Sequence, residues 1–171
     1  MAYAPVMKAF DWSIGVFVRG LTNLKVVLTK GEAHALARDV VPDALLNARL
    51  ADDMNDLATQ IHWASEGATL AVHRLLGVTS TPQAEKATSF AELHERIDRA
   101  IAYLGAVDSD ALEAGLARTI ELPQRGGSKA YRGDRFVIEF ALPSFFFHLT
   151  TAYGILRHEG VPLQKGDFMG A

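Results

Sequence analysis

The sequence predicts an all-α protein, an antiparallel four-helix bundle with a short hairpin or extended loop before its last helix. Three observations lead there. Apolar residues recur at steps of three and four through four long stretches, the period of a helix with one buried face. Residues that cap or break helices stand where those stretches begin and end. A chain of 171 residues matches a single domain, residues 1–171, that buries most of the surface its unfolded form exposes.

In the first helix, expected over residues 5–38, Phe10, Ile14, Phe17, Leu21, Leu24 and Leu28 draw one stripe. Gly15, Gly20 and Gly31 weaken its propensity by about 1 kcal/mol each relative to alanine, so packing must hold it, and small residues let a neighbour come close. Pro42 and Asp43 open a short helical turn through Leu45 and Leu46. The second helix is expected to start at Asp52 or Asp53, whose carboxylate can accept free backbone N–H groups, and to stop at Gly77. Its apolar face is Met54, Leu57, Ile61, Ala64, Ala68, Ala71 and Leu75.

The linker 78–88 carries Thr, Ser and Pro82 without periodicity. Ser89 and Glu92 form a capping-box pattern. Phe90, Leu93, Ile97, Ile101 and Leu104 then mark a third helix ending near Gly105. Residues 109–117 read as a short helix. Segments 118–122 and 129–132 flank Gly126-Gly127, a pair suited to a tight reversal.

The last helix, about residues 134–159, is apolar nearly all round, with Phe136, Val137, Ile138 and Phe140, then Phe145, Phe146 and Phe147. Such a helix sits inside the bundle or packs on another subunit, so a homodimer is the expected partner state. Pro143 has no N–H and crowds the carbonyl of Glu139, which predicts a kink one turn before His148. The tail beyond Gly160 is expected to lie back over the bundle.

Composition narrows the function. Hydrophobic residues at 49% and charged ones at 22% are values of an ordinary globular domain. The net charge is −3 and the pI near 6.0, with no basic run to hold a phosphate backbone, so no nucleic-acid partner is expected. Lys8, Asp11, Arg19 and Lys25 interrupt the apolar N-terminal stretch, which argues against a signal core or a membrane span. Cysteine is absent, which excludes disulfides, thiolate nucleophiles and sulfur-built zinc sites and suits a cytoplasmic address. No nucleophile elbow, glycine-rich phosphate loop or His-Glu-x-x-His motif occurs.

Six histidines leave nitrogen and oxygen chemistry open. His34 and His94 stand among Glu32, Glu92 and Glu95 on what read as solvated faces. His62 and His73, eleven residues apart, point the same way but are separated by roughly 16 Å along a helix, so they cannot share an ion. Both lie off the apolar face of their helix and read as surface or boundary residues. His158 sits where a cation meets the C-terminal carbonyls of a helix. His148 differs, because it follows three phenylalanines and shares a face with Ala141, Ser144, Phe145, Thr151, Ala152 and Ile155; it is read either as a core histidine satisfied by one hydrogen bond or as a site residue. Asp53 and Gln60 lie within about 70° of the apolar centre of the second helix. If the second and last helices are neighbours, Gln60, Ser144 and His148 line one small polar pocket.

The run Phe147-His148-Leu149-Thr150-Thr151-Ala152-Tyr153-Gly154-Ile155-Leu156-Arg157, followed by Gly160-Val161-Pro162 and Asp167-Phe168, resembles the C-terminal signature of DinB/YfiT-like helical bundles. Ala48-Arg49-Leu50-Ala51-x-Asp53-Met54 and Ala141-Leu142-Pro143-x-Phe145-Phe146-Phe147-His148 are similar to a branch described as a domain of unknown function. The resemblance covers nearly the whole chain. It implies an antiparallel bundle, often dimeric, in which many relatives bind a divalent metal with three histidines and some are thiol-dependent transferases or hydrolases. The family's last-helix pair is His-x-x-x-His; here Ser144 holds the first position and His148 the second. The remaining ligand position aligns with Gln60, or with His62 under a shifted alignment. One imidazole where three are usual is a poor transition-metal site. The expected function is therefore a small-molecule-binding or accessory protein with a degenerate metal site and a pocket of Asp53, Gln60, Ser144 and His148. The alternatives are a metal-dependent transferase or hydrolase using His148, His62 and a carboxylate such as Asp53 or Glu66, and a purely structural dimer.

Overall fold

The computed structural model describes residues 8–39, 41–81, 86–124 and 126–171. The chain is mostly helical with one small sheet. Residues 5–7 of the expected first helix, and 82–85 of the expected linker with Pro82, lie outside the described residues. From residue 9 onward the first helix is two helices rather than one: α1, Ala9–Trp12, and α2, Ile14–Ala37. Ser13 separates them, and its hydroxyl donates to the carbonyl of Ala9, the back-bonding that bends helices at serine. The predicted stripe of Ile14, Phe17, Leu21, Leu24 and Leu28 is buried.

A short α3, Pro42–Leu46, buries Leu45 and Leu46. The next long helix, α4, is Leu57–Leu76, starting later than expected. Its N-cap is Asp56, which accepts from the backbone N–H of Thr59 at 2.9 Å, and not Asp52 or Asp53, which are exposed in the preceding turn. Tertiary contacts made that choice. The backbone N–H of Leu57 reaches back to the carbonyl of Ala48 at 2.9 Å, and Lys86 bonds the Asp56 carboxylate at 2.7 Å. Burial alone would raise the pKa of Asp56, but the hydrogen bonds from Lys86 and Thr59 outweigh it and hold the carboxyl below its ordinary range. At the other end Gly77 takes φ +70, the left-handed cap expected there.

Helix α5, Phe90–Gly105, starts at Ser89, whose side chain accepts from the N–H of Glu92. Glu92 returns its bond to the N–H of Thr88 at 2.7 Å rather than to Ser89, so the capping box is displaced by one residue. Helix α6, Ser109–Gly115, is capped by Asp108. The hairpin alternative holds: β1, Thr119–Gln124, pairs antiparallel with β2, Gly127–Arg132. Gly126 and Gly127 supply the positive φ at the reversal.

The last long helix is continuous over Gly133–His158 but not uniform. It comprises α7, Gly133–Phe136, a π-helical turn over Val137–Ala141, and α8, Leu142–His158. The N–H of Leu142 bonds the carbonyl of Val137, five residues back. Pro143, with no N–H to donate, follows that widened turn directly, so the perturbation expected from proline takes the form of a π-turn. The helix is long and apolar enough to cross a membrane by length and composition alone, yet Phe136, Val137, Phe145, Leu149, Ala152, Ile155 and Leu156 are buried in the core. It is not enclosed on every side: Ile138 is 52% exposed and Phe147 57%.

Four long helices surround this core, α2 against α5, α5 against α4, α4 against the last helix, and that helix against α2. Their directions follow from the contacts. Lys25 meets Asp98 and Glu32 meets His94, so α2 and α5 are antiparallel. His62 meets Arg96 and His73 meets Tyr103, so α4 and α5 run parallel. That departs from the simple alternation a short connection would give. Beside α2, the ring of Phe145 fills the space a Cβ on Gly20 would need, and Leu156 does the same at Gly31, so those glycines set the α2–α8 approach. The tail returns as expected, with α9, Lys165–Met169, tied to α2 by Asn23 donating to the Phe168 carbonyl at 3.1 Å and Lys30 to Asp167 at 2.5 Å.

At the hairpin end, a Cβ on Gly133 would stand 2.4 Å from the Gly115 carbonyl oxygen, whereas a Cβ on Gly105 would meet nothing within 4 Å. Gly133→Ala is expected to lower unfolding stability by about 1–3 kcal/mol in urea titration, and Gly105→Ala to leave it unchanged or raise it. Equal midpoints for both variants would contradict the close α6–α7 contact.

Candidate functional site

Gln60 occupies the first turn of α4 and is 1% exposed. A buried primary amide needs partners for both its N–H₂ and its oxygen. Its Nε2 donates to the carbonyl of Asn55 at 3.1 Å, which turns Oε1 toward the last helix. There the oxygen accepts from Nδ1 of His148 at 2.8 Å. The pairing assigns the tautomer: a carbonyl oxygen can only accept, so the His148 proton sits on Nδ1 and Nε2 carries the lone pair. Burial, with the nearby His62 adding to it, holds the His148 pKa below the ordinary imidazole value, so the ring is a neutral base at physiological pH.

His148 and Ser144, one turn apart on α8, line a cavity of about 160 Å³ between α4 and the last helix. Trp63, Gly67 and Arg74 face it from α4, and Phe136 and Phe140 from across. The structure therefore brings Gln60, Ser144 and His148 together at one seam. It does not bring in Asp53, which is exposed in the turn before α4; the first helical residue lies beyond it, so the wheel that placed Asp53 near the apolar centre does not extend that far.

Of the other histidines, His73 and His158 stand at helix ends as their sequence reading has them, whereas His62 departs from its surface reading. His62 is half-buried, and its Nδ1 accepts from the guanidinium of Arg96 at 2.7 Å. Its pKa is lowered by burial first and by Arg96 second, with Glu66 opposing. His73 bonds Ser80 at 2.7 Å and is also held low by burial. His94 lies 3.5 Å from Glu32, while His158 is exposed at its helix end. Arg96, buried on α5, went unread in the sequence, although its place three residues after Leu93 and four before Ala100 puts it on the apolar stripe. Arg74 and Gly67 were also missed. For Gly67 the signal was a glycine in the middle of a well-formed helix.

The family described as "Domain of unknown function (DUF1993)" matches residues 9–169. A crystal structure of a DinB family member protein from Shewanella denitrificans is similar at 37% sequence identity and a TM-score of 0.84, covering 95% of this chain and 92% of that one. The chain belongs to the DUF1993 family and, with this neighbour, to the DinB family. No curated protein matches it.

The metal that DinB relatives imply can be tested against the donors of this DUF1993 protein. Among the described residues no group of three or more histidine, aspartate or glutamate side chains is placed to hold an ion. At the seam, the Gln60 oxygen is committed to His148. The lone pair on His62 Nδ1 is taken by a guanidinium, and a permanent cation there repels a second one. One imidazole nitrogen and one hydroxyl do not make a transition-metal site. The residues do not fit the group.

With His62, His73 and His148 all held below their ordinary range, the unfolded chain takes up protons that the folded one refuses as pH falls below about 6.5. The stability these rings contribute is thus present above that value and lost progressively as pH falls beneath it. Urea midpoints are expected to fall steadily from pH 7.5 to pH 5, and a flat profile would mean these rings are solvated.

Proposed function

We propose that this DinB-family protein is a cytosolic, non-catalytic small-molecule-binding or accessory protein, built as a four-helix bundle with a degenerate metal site. The observation that carries the reading is the Gln60–His148 hydrogen bond. It makes the residue at a ligand position a hydrogen-bond partner of the imidazole and leaves Nε2 as a fixed acceptor beside the cavity. Few convergent polar groups in a mostly apolar, aromatic-walled recess is the ordinary form of a ligand pocket. The absence of cysteine supports a reducing compartment, and the lack of a basic surface run supports a protein that works without nucleic acid; we place it off the membrane as well.

Elemental analysis of untagged protein purified without chelator is expected to find no stoichiometric transition metal. A thermal-shift screen of small metabolites is expected to give ligands whose stabilisation disappears in His148→Ala and Gln60→Leu. Stoichiometric zinc, nickel, iron or manganese removed by His148→Ala would instead favour a metal-dependent transferase or hydrolase.

A second copy is the proposed partner, and one observation favours it. Ile138, Phe146 and Phe147 are large apolar side chains that the last helix leaves exposed in the single chain, the kind of surface a subunit contact covers. Sedimentation is expected to give a dimer, and Phe147→Glu to shift it toward monomer by tenfold or more in dissociation constant. A wild-type monomer would remove this proposal.

A further inference from the structure

The cavity between α4 and the last helix holds a cation with no counter-ion among the described residues. Arg74 lines it and is half-buried, and burial alone depresses its guanidinium pKa, with no acidic group opposing the shift. Among the described residues its guanidinium has neither an ion pair nor a hydrogen bond, whereas Arg132 is paired with Asp134 and Arg135 with Glu139. A guanidinium stays charged in any protein environment and offers a planar fork that fits a carboxylate. Desolvating it without a partner is unfavourable unless something else supplies the negative charge.

Gly67 lies between Trp63 and Arg74 on the same face of α4 and lines the same cavity. Glycine weakens a helix interior, so it needs a reason. At Gly20, Gly31, Gly115 and Gly133 the reason is a neighbour that a Cβ would strike; at Gly67 a Cβ would meet nothing within 4 Å. The protein's own packing does not account for the missing side chain, and the position faces the open volume of the cavity. Across that volume, Phe136 and Phe140 present rings 5.8 Å apart and only 21° from parallel. About 160 Å³ is well below the roughly 300 Å³ at which sites for drug-sized ligands begin. It suits one ring with short substituents and excludes a nucleotide.

We infer that the cavity takes a small aromatic carboxylate, its carboxylate on Arg74, its ring over Gly67, and a hydroxyl or N–H donor toward Nε2 of His148. The inference rests on the small-molecule reading and narrows it to one ligand class.

Calorimetric titration with 4-hydroxyphenylacetate, its neutral amide and the corresponding 4-hydroxyphenethylamine tests it. The carboxylate is expected to bind at least tenfold more tightly than the amide, and the amine not at all. Arg74→Gln is expected to erase the preference for carboxylate over amide. Gly67→Leu, with an unfolding temperature equal to or above wild type, is expected to abolish binding of both. Equal affinity for carboxylate and amide, or a preference that survives Arg74→Gln, overturns the inference. If the amide binds and Gly67→Leu blocks it, the anion assignment falls while the small-molecule reading stands. Binding of none of the three probes overturns the inference too, and the metabolite screen then decides the broader reading on its own.

Discussion

One buried amide governs the seam between α4 and the last helix. Gln60 is almost wholly out of water, and an amide in that position is tolerated only when both of its ends are bonded. Asn55 takes one end and His148 the other. That pair of bonds ties the loop before α4, the first turn of α4 and the last helix to a common point. It also fixes which nitrogen of His148 is basic, so the same interaction that closes the core defines the chemistry of the cavity. Both ends of the Gln60 amide are committed, one to the Asn55 carbonyl and one to orienting the imidazole.

Around that point the polar groups are sorted by helix. α4 and α5 run side by side in one direction, and between them Arg96 covers the lone pair of His62. α4 and the last helix run in opposite directions, and between them His148, Ser144 and Arg74 reach the cavity. The two seams share α4 but not their charges. The guanidinium on the α5 side serves a histidine, while the one on the other side has no ion-pair partner among the described residues and faces a largely apolar cavity. Buried cations often add little to the stability of a core, and by our inference the second belongs to what the cavity receives rather than to what holds the fold.

Much of this was legible in sequence. The stripe of α5 and its Ser89 cap follow from local rules alone, because a serine beside an apolar period can satisfy a free N–H wherever that helix packs. The wheel placed Gln60 and His148 inward correctly, since burial of a helix face is set by its own spacing. What sequence left undetermined depended on partners distant in the chain. Asp52, Asp53 and Asp56 are chemically equal as caps, and Lys86 and Ala48 chose among them. His62 looked solvated because Arg96, thirty-four residues on, is invisible to a single-helix wheel. The parallel course of α4 and α5 did have a signal, a linker of eleven residues where antiparallel neighbours usually need two to about eight.

The π-turn has a further meaning, which concerns phase. Val137, Ala141, Phe145 and Leu149 are all buried, three successive steps of four residues. In a regular helix each such step would overshoot by about 40°, and the third would carry Leu149 well off the inward side. The wider turn absorbs part of that rotation before Phe145, so the segment downstream is reset in angle. The bearing of the His148 ring is therefore decided two turns upstream of it. Removing a single residue there would rotate everything beyond by about 100° and exchange an inward imidazole for an outward one, with no change in the residues of the cavity itself.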